Sequence, residues 1–463
     1  MHSKDHAIVM GASLAGLLAA RVLSDHFKRV TLIERDELPS GPTPRRGVPQ
    51  GVHCHGLLAS GRRILDDLFP GFTAEAIAQG AIPGDPVRDC RWFLSGACLA
   101  RPASKLNALL ASRPLLEDLV RQRVLALANV TLQQNSQVER LTATPDRRRI
   151  TGVVCAGAPL ASDLVIDATG RGSRTPLWLT GLGYDAPAEE TMDVGLRYTT
   201  RSFRRHPADL NGDIATVIPP TPAGKRGGVM LAQEGDRWTV TLMGHFEQHA
   251  PEDLPGFLGY ARSLPAPFIF DTIRDAEPLG EAHSTRFPSS RRRHYERLES
   301  FPEGILVMGD AVCSFNPVYG QGMSVAALAA ETLDSALWIR APHLARRFFE
   351  RLARIVDTPW SIAAGNDLRI PDVNGPRNPF THAINWYMER LHRAAHHDEQ
   401  LALAFHQVGN LVAPPAGLLH PRQAFRVLRG NLRAARYRDT GNMSATAIAR
   451  APAASTSPSG IPR

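Results

Sequence analysis

Apolar positions near the start of the chain fall into two registers. Ala7 to Met10 is a short unbroken apolar run ending at Gly11, Leu14 to Leu23 carries apolar residues at helical spacing, and Val30 to Ile33 is again short and β-rich. A strand covered on both faces reads as a continuous apolar run and a helix packed on a sheet repeats every three to four residues, so this stretch predicts a βαβ unit. The runs Ile150 to Cys155 and Leu160 to Ile166 flank a turn around Gly157 and predict a hairpin leading into Asp167-Ala168-Thr169-Gly170. From Met192 to Phe246, β-branched and apolar runs separated by turn residues predict an antiparallel sheet. Ile305 to Met308 predicts one more strand, ending at Gly309-Asp310, and a helix follows from near Gln321 through Trp338. Beyond about Ala341 the pattern is mostly helical, broken at Pro371, Pro376, Pro379 and Pro414-Pro415, and the Ala/Ser/Thr/Pro-rich stretch Gly441 to Arg463 is expected to be disordered.

The predicted fold class is α/β. A Rossmann-like dinucleotide domain is expected over residues 1–174 and 296–340, interrupted by an antiparallel β-sheet substrate domain over 175–295 and followed by a helical C-terminal region over 341–440 and a tail over 441–463. At 463 residues the chain is too long for one compact core, which agrees with that division. Hydrophobic residues make up 43% and charged residues 21%, ordinary for a globular protein. The net charge of +8 raises the question of nucleic acid. Basic residues are interleaved with acids, however, and the clusters Arg147 to Arg149 and Arg291 to Arg293 lack the aromatics of a base-stacking surface, so no nucleic-acid partner is expected. Leu411 to Arg436 has the composition of a basic amphipathic helix, a candidate either for weak membrane-surface association or for covering a neighbouring domain. The five cysteines form no C-x-x-C pair, and the start of the chain carries no cleavable apolar stretch; cytoplasmic residence is the expectation.

The segment Gly11-Ala12-Ser13-Leu14-Ala15-Gly16 lies between a predicted strand and helix, and Glu34 ends the next strand, 23 positions after Gly11. Gly11 permits a tight turn, a small residue at Ser13 lets the backbone approach a pyrophosphate, and Gly16 lets the helix lie close to the sheet. Phosphate would then meet free amides at the positive helix end. Glu34 suits ribose hydroxyls and repels a 2'-phosphate, which favours FAD or NAD over NADP. Far downstream, Gly309-Asp310, Pro317 and Gly320-Gln321-Gly322-Met323 combine a carboxylate at a strand end with a glycine-rich helix start. A carboxylate there fits a polyol chain, and the amides fit a developing negative charge, as the ribityl chain and reduced ring of a flavin require.

These segments carry a family resemblance. VMGASLAGLLAARVL with IER, VIDATGRGSR and GDAVCSFNPVYGQGMSVAA resemble, in order and spacing, the three FAD motifs of the group A flavoprotein monooxygenases with the para-hydroxybenzoate hydroxylase fold. RRGVPQGVHCHGLL, SRPLLEDLV and NPVYGQGM are similar to the branch of squalene epoxidase-like and polyether epoxidases. The resemblance implies one FAD, with Gly11, Ser13 and Gly16 facing the pyrophosphate, Glu34 the adenosine ribose, Arg35 the adenine side and Arg113 the pyrophosphate region. It places Asp310 on the ribityl chain, Gly322 and Met323 at the pyrimidine end of the flavin, and Arg46, or its neighbour Arg45, on a loop beside the ring. It also implies oxygen transfer from O2 to a small organic, apolar substrate through a flavin C4a-hydroperoxide, by epoxidation or hydroxylation. The chemistry belongs to the cofactor, so no side chain need act as nucleophile.

A second dinucleotide motif is absent, so NAD(P)H is expected as a transient electron donor, unless a separate reductase takes that part. The middle motif reads Asp-Ala-Thr-Gly rather than the Asp-Gly form of many aromatic hydroxylases; geranylgeranyl reductases and flavin halogenases share it. A flavin-dependent reductase, a halogenase and a non-catalytic FAD-binding protein therefore remain alternatives, the halogenase weakened because no W-x-W-x-I-P motif is present. His53 and His55 bracket Cys54 and could hold a proton near the ring or simply pack; no further ligands at metal spacing accompany them, so no metal is expected. Arg291-Arg292-Arg293-His294-Tyr295 reads as a solvated turn or as an attractor for NAD(P)H or an acidic substrate. Trp238, Met243 and Phe246 read as an apolar pocket wall or as ordinary core. Oligomeric state has no sequence signal.

Overall fold

A computed structural model describes residues 5–339 and 342–433. The first part of the chain forms β1 (His6–Met10), α1 (Leu14–Ser24), β2 (Arg29–Ile33), α2 (Arg113–Leu125), β3 (Val130–Gln133) and β4 (Leu164–Asp167). The middle forms β5 (Glu189–Arg204), β6 (Arg226–Gln233), β7 (Arg237–His245) and β8 (His283–Arg293). The remainder forms β9 (Ile305–Val307), α3 (Gly322–Trp338), α4 (Leu344–Asp367), α5 (Pro379–Ala395) and α6 (Glu399–Gly409), and residues 421–433 are helical.

Five strands form a parallel sheet in the order β9-β4-β1-β2-β3. The unbroken apolar run of β1 follows from its two buried faces. Ala7 and Val9 meet α1, α2 and α3, while Ile8 and Met10 meet a three-stranded meander formed by residues 138–143, 150–155 and 158–161. Each large side chain so buried contributes roughly 1.5–3 kcal/mol. The hairpin expected over 150–166 is therefore shorter than its apolar pattern. It closes at Ala161, and Leu164–Asp167 leaves it to become β4, because a buried parallel strand and a buried hairpin strand have the same composition.

The second sheet contains eight strands, centred on β8-β5-β7-β6, and takes residues 90–94, 97–98 and 313–314 from outside the central stretch. Alternation along β5 and β7 divides its two faces. Phe203, Trp238, Val240 and Leu242 pack under the helices Leu254–Arg262 and Phe268–Ile273. Tyr198 and Met243 look the other way, into a cluster shared with Val318 and with Leu368 just beyond α4. Trp238 is thus a core residue, whereas Met243 and the partly buried Phe246 lie on the side of the 316–320 turn. Arg291 to Arg293 end β8 rather than forming a solvated turn. Arg292 and Arg293 are buried and ion-paired with Asp357 and Glu189, because β8 pairs with the short strand 313–314 there. No helix among the described residues is long and apolar enough to cross a membrane. The stretch 441–463 lies outside the described residues.

Candidate active site

Gly11 turns the chain from β1 into α1 with φ +96°, a left-handed conformation that disfavours any side chain. A Cβ on it would lie 2.7 Å from the carbonyl oxygen of Ala168, and one on Gly16 would lie 1.7 Å from that of Gly11. Both glycines are therefore required by backbone contacts. Gly11→Ala is expected to cost roughly 1–3 kcal/mol of stability from strain alone, read as a shifted urea midpoint; an unchanged midpoint would remove this account of the turn.

Ser13 caps α1 with its backbone, and its side chain does other work. Its hydroxyl donates to Glu117 Oε2 at 3.0 Å and accepts from Arg113 Nη2 at 2.8 Å. Arg113 and Glu117 stand one turn apart at the start of α2, both buried, and are paired at 2.9 Å. Arg45 continues the chain of charges, donating from Nε to Glu117 Oε1 at 3.0 Å and lying 3.4 Å from Glu34 Oε2. Arg113 and Arg45 hold the Glu117 carboxyl below its usual range against the opposing effect of burial. Glu34 accepts from the backbone N–H of Ala12 at 2.9 Å and of Asp36 at 3.2 Å. Ser13, Glu34 and Arg113 are thus brought together. Arg35 is directed to the surface, 68% exposed, and Arg46 is exposed as well, so Arg45 and not Arg46 enters the cluster. Glu117 was not anticipated; an arginine and a glutamate at i and i+4 in the first turns of the helix was its available signal.

The downstream motif converges on the same place. A Cβ on Gly309, at φ +66°, would lie 2.8 Å from the Ala15 Cβ, and one on Gly170 would lie 3.9 Å from the Asp310 Cβ. Asp310 is open to solvent but ringed by protein; loss of solvation raises its carboxyl above the ordinary range, with Arg113 and Arg171 acting in opposition. Between the two turns stands Asp167. It is completely buried and accepts from the Thr169 N–H and hydroxyl at 2.9 and 2.6 Å and from the Ser173 and Thr175 hydroxyls at 2.5 Å each. Its backbone carbonyl also accepts from the Met308 N–H, and the Ala168 N–H donates to Met10. Gly320 is left-handed at φ +64°, and Gly322 and Met323 open α3, where first-turn amides have no helical acceptor.

The segment after Gly51 crosses the inward face of the second sheet. His53 Nδ1 is 2.7 Å from the Thr200 hydroxyl, which is 2.7 Å from that of Thr241, which accepts from the Cys54 N–H at 3.0 Å. His55 Nδ1 donates to the His53 carbonyl. Burial drives His53 down to about 3 and His55 to about 4, so both are uncharged at neutral pH. His53 Nε2 is buried without a hydrogen-bond partner among the described residues, beside the Tyr198 ring at 5.5 Å. Tyr198 in turn donates to Asn316 Oδ1 at 2.6 Å, next to Pro317. Among the described residues no group of three or more His, Cys, Asp or Glu could hold a metal.

The residues fit a dinucleotide. The turn at Gly11 has no room for a Cβ, the helix end at Ser13 is lined by two guanidiniums, and Glu34 is a buried acceptor at the end of β2. No family model matches the chain. Protein Rv3254 of Mycobacterium tuberculosis (strain ATCC 25618 / H37Rv) is 39% identical over 356 residues, covering 73% of this chain and 74% of that protein. The chain belongs to the Rv3254 family. Solved structures with the same fold include the flavin-dependent brominase Bmp2, at TM-score 0.63 and 13% identity over 93% of this chain and 100% of that one. PqsL of Pseudomonas aeruginosa in complex with 2-aminobenzoylacetate gives 0.58 and 16% over 87% and 100%. The tetrameric form of 2-methyl-3-hydroxypyridine-5-carboxylic acid oxygenase gives 0.57 and 18% over 88% and 97%. At these identities the likeness shows the fold, an α/β architecture with a parallel sheet, an antiparallel sheet and a helical C-terminal region that this member of the Rv3254 family shares.

Proposed function

We propose that the protein is an FAD-dependent monooxygenase that inserts one oxygen atom from O2 into a small, apolar organic substrate. The observation that carries this reading is the approach of the Gly309-Asp310 turn to the Gly11–Gly16 loop, seen in the 2.8 Å between the Gly309 Cβ position and Ala15. Two turns so placed can hold the adjoining pyrophosphate and ribityl parts of one FAD. The likeness in fold to a flavin-dependent brominase and to an oxygenase supports it.

In this reading Gly11, whose own N–H donates to the Ile33 carbonyl, turns the backbone beneath the pyrophosphate, which the amides at Ser13 and Gly16 and the Arg113 guanidinium bind; Glu34 binds the adenosine ribose, and Arg35 the rim of the adenine site. Asp310 binds the ribityl chain, and the amides of Gly322 and Met323 face the pyrimidine edge of the flavin. When bound, FAD supplies electron storage and the activation of O2. The chain's own contribution is binding, orientation and exclusion of water. The substrate lies against the inward sheet face at Tyr198 and Met243, where the free Nε2 of His53 offers it one polar contact. His53 is uncharged there, so it orients by hydrogen bonding rather than by charge. Electrons come from transient NAD(P)H or from a reductase partner. The similarity of NPVYGQGM to the squalene epoxidase-like branch makes alkenes the first substrates to try.

Full-length protein is expected to purify yellow or to take up FAD with quenching of flavin fluorescence. After reduction by NADH, NADPH or dithionite, air and an alkene or arene panel should give a product heavier by one oxygen atom, derived from isotopically heavy O2. A colourless protein that ignores FAD overturns the cofactor; a gain of two hydrogens or of a halogen overturns the oxygenase in favour of a reductase or halogenase.

A further inference from the structure

Large apolar side chains left in solvent are unevenly distributed. Among the described residues, seven of the twelve exposed ones lie between 380 and 432: Phe380, Trp386, Val412, Leu419, Phe425, Leu428 and Leu432. The helix 421–433 explains part of this. Val427 is buried against the C-terminal helices, Gly430 lies against Ala394 of α5, and Asn431 donates to the Arg390 carbonyl, which fixes the inner face. At 3.6 residues per turn the outer face then carries Phe425, Leu428 and Leu432 as one stripe, 64%, 58% and 56% exposed. Arg422, Arg429 and Arg433 run along the edge of that stripe.

Charge separates the occupants this face would accept. From 379 to 433 the sequence has six arginines and three acids. Two of the arginines are paired, Arg393 with Glu389 and Arg426 with Asp398. Among the described residues Arg422, Arg429 and Arg433 have no acidic partner. A second copy seated symmetrically on this helix would bring those arginines against their own counterparts, a repulsive arrangement. A surface of anionic lipid matches both halves of the pattern, since apolar side chains enter the acyl boundary while arginines stay at the headgroups. Arg390 over the exposed Trp386 ring, 3.7 Å from its centroid, extends the same pairing of aromatic and cation to α5.

We propose that helix 421–433 docks the protein, in the plane of the interface, onto anionic membrane surfaces through Phe425, Leu428 and Leu432 and the flanking arginines. The attachment is peripheral and independent of the oxygenase reading, so either can fail alone.

The test is flotation of the full chain with vesicles of phosphatidylcholine alone and of equal parts phosphatidylcholine and phosphatidylglycerol. Binding is expected only to the anionic vesicles and should weaken with salt. Phe425→Gln/Leu428→Gln/Leu432→Gln and Arg422→Gln/Arg429→Gln/Arg433→Gln should each reduce it by roughly tenfold or more. Unchanged circular dichroism and urea midpoints would show that both variants fold. Wild-type protein that stays with the aqueous fraction overturns the proposal, as does equal binding by the variants. A dimer that the Phe425/Leu428/Leu432 triple variant converts to monomer, without lipid binding, overturns it in favour of a second copy.

Discussion

Asp167→Ala is expected to destabilise the protein by about 4 kcal/mol and to abolish FAD uptake at temperatures where the wild type still binds it. The buried carboxylate is the common acceptor for four donors, and alanine strands the buried Ser173 and Thr175 hydroxyls, while the exposed Thr169 can turn its two donors to water. Hydrogen bonds to a charged acceptor contribute about 1.5–3 kcal/mol each, and a buried donor left unmade costs a similar amount, so even partial relaxation leaves a large deficit. The effect reaches the proposed cofactor site through the backbone. Ala168, whose carbonyl lies against Gly11, and Met308, which precedes Gly309-Asp310, are both held to this strand end. Asp167→Asn retains one acceptor oxygen and should fall between the two. Urea unfolding with a parallel FAD titration measures both effects; a variant within about 1 kcal/mol of wild type that binds FAD normally would show that Asp167 is no keystone.

This role explains which parts of the site were legible in sequence. Gly11, Gly309 and Gly320 turn the chain at positive φ and Gly16 lies against the Gly11 carbonyl, so these needs are local, and a run ending in glycine before a helical period displays them directly, although the contacts of Gly11 with Ala168 and of Gly309 with Ala15 are not local. Asp167 was readable as a motif, though not as a buried acceptor of four bonds. Arg45 and Glu117 lie 72 positions apart and owe their pairing to the fold, so an exposed loop arginine and a buried one looked alike until the chain was closed. For the same reason Arg45 and Arg46 were indistinguishable. Arg291 to Arg293 have the composition of a surface cluster, and only the docking of 313–314 on β8 buries two of them.

A second consequence of burial concerns pH. Asp367, at the end of α4, is 2% exposed; its Oδ1 accepts from Asn316 Nδ2 at 2.9 Å and from the Tyr319 hydroxyl at 3.0 Å, and its Oδ2 has no partner among the described residues. Desolvation raises the carboxyl from 3.8 to about 7, although both hydrogen bonds pull it down. Tyr198 and Tyr319 face it, and burial raises both phenols well above their usual range, so neither titrates near neutrality; Arg369 is the nearby cation. A carboxyl raised on folding contributes its full stability below its unfolded value and loses it as pH climbs through the folded one. Between about pH 4 and pH 7 the native state therefore loses up to about 4 kcal/mol through this group. The wild-type profile alone will not display the loss. His53, His55, His392 and His406 are lowered to about 3 or 4 by burial, so the unfolded chain binds more protons there and stability rises with pH up to their unfolded value of 6.5.

The difference between wild type and Asp367→Asn isolates the carboxyl, because the amide keeps the Oδ1 acceptor and cannot ionise. The variant is expected to gain roughly 3 kcal/mol relative to wild type on going from about pH 5 to about pH 8, read from urea midpoints at each pH. Parallel pH profiles for the two proteins would mean that the carboxyl does not change charge in that window. Because Asn316 joins Asp367 to Tyr198 and precedes Pro317, the same titration bears on the turn that leads into Gly322 and Met323. Ionisation of Asp367 places an unshared charge behind that turn, so FAD affinity in the wild type should fall over the same pH interval and remain level in Asp367→Asn.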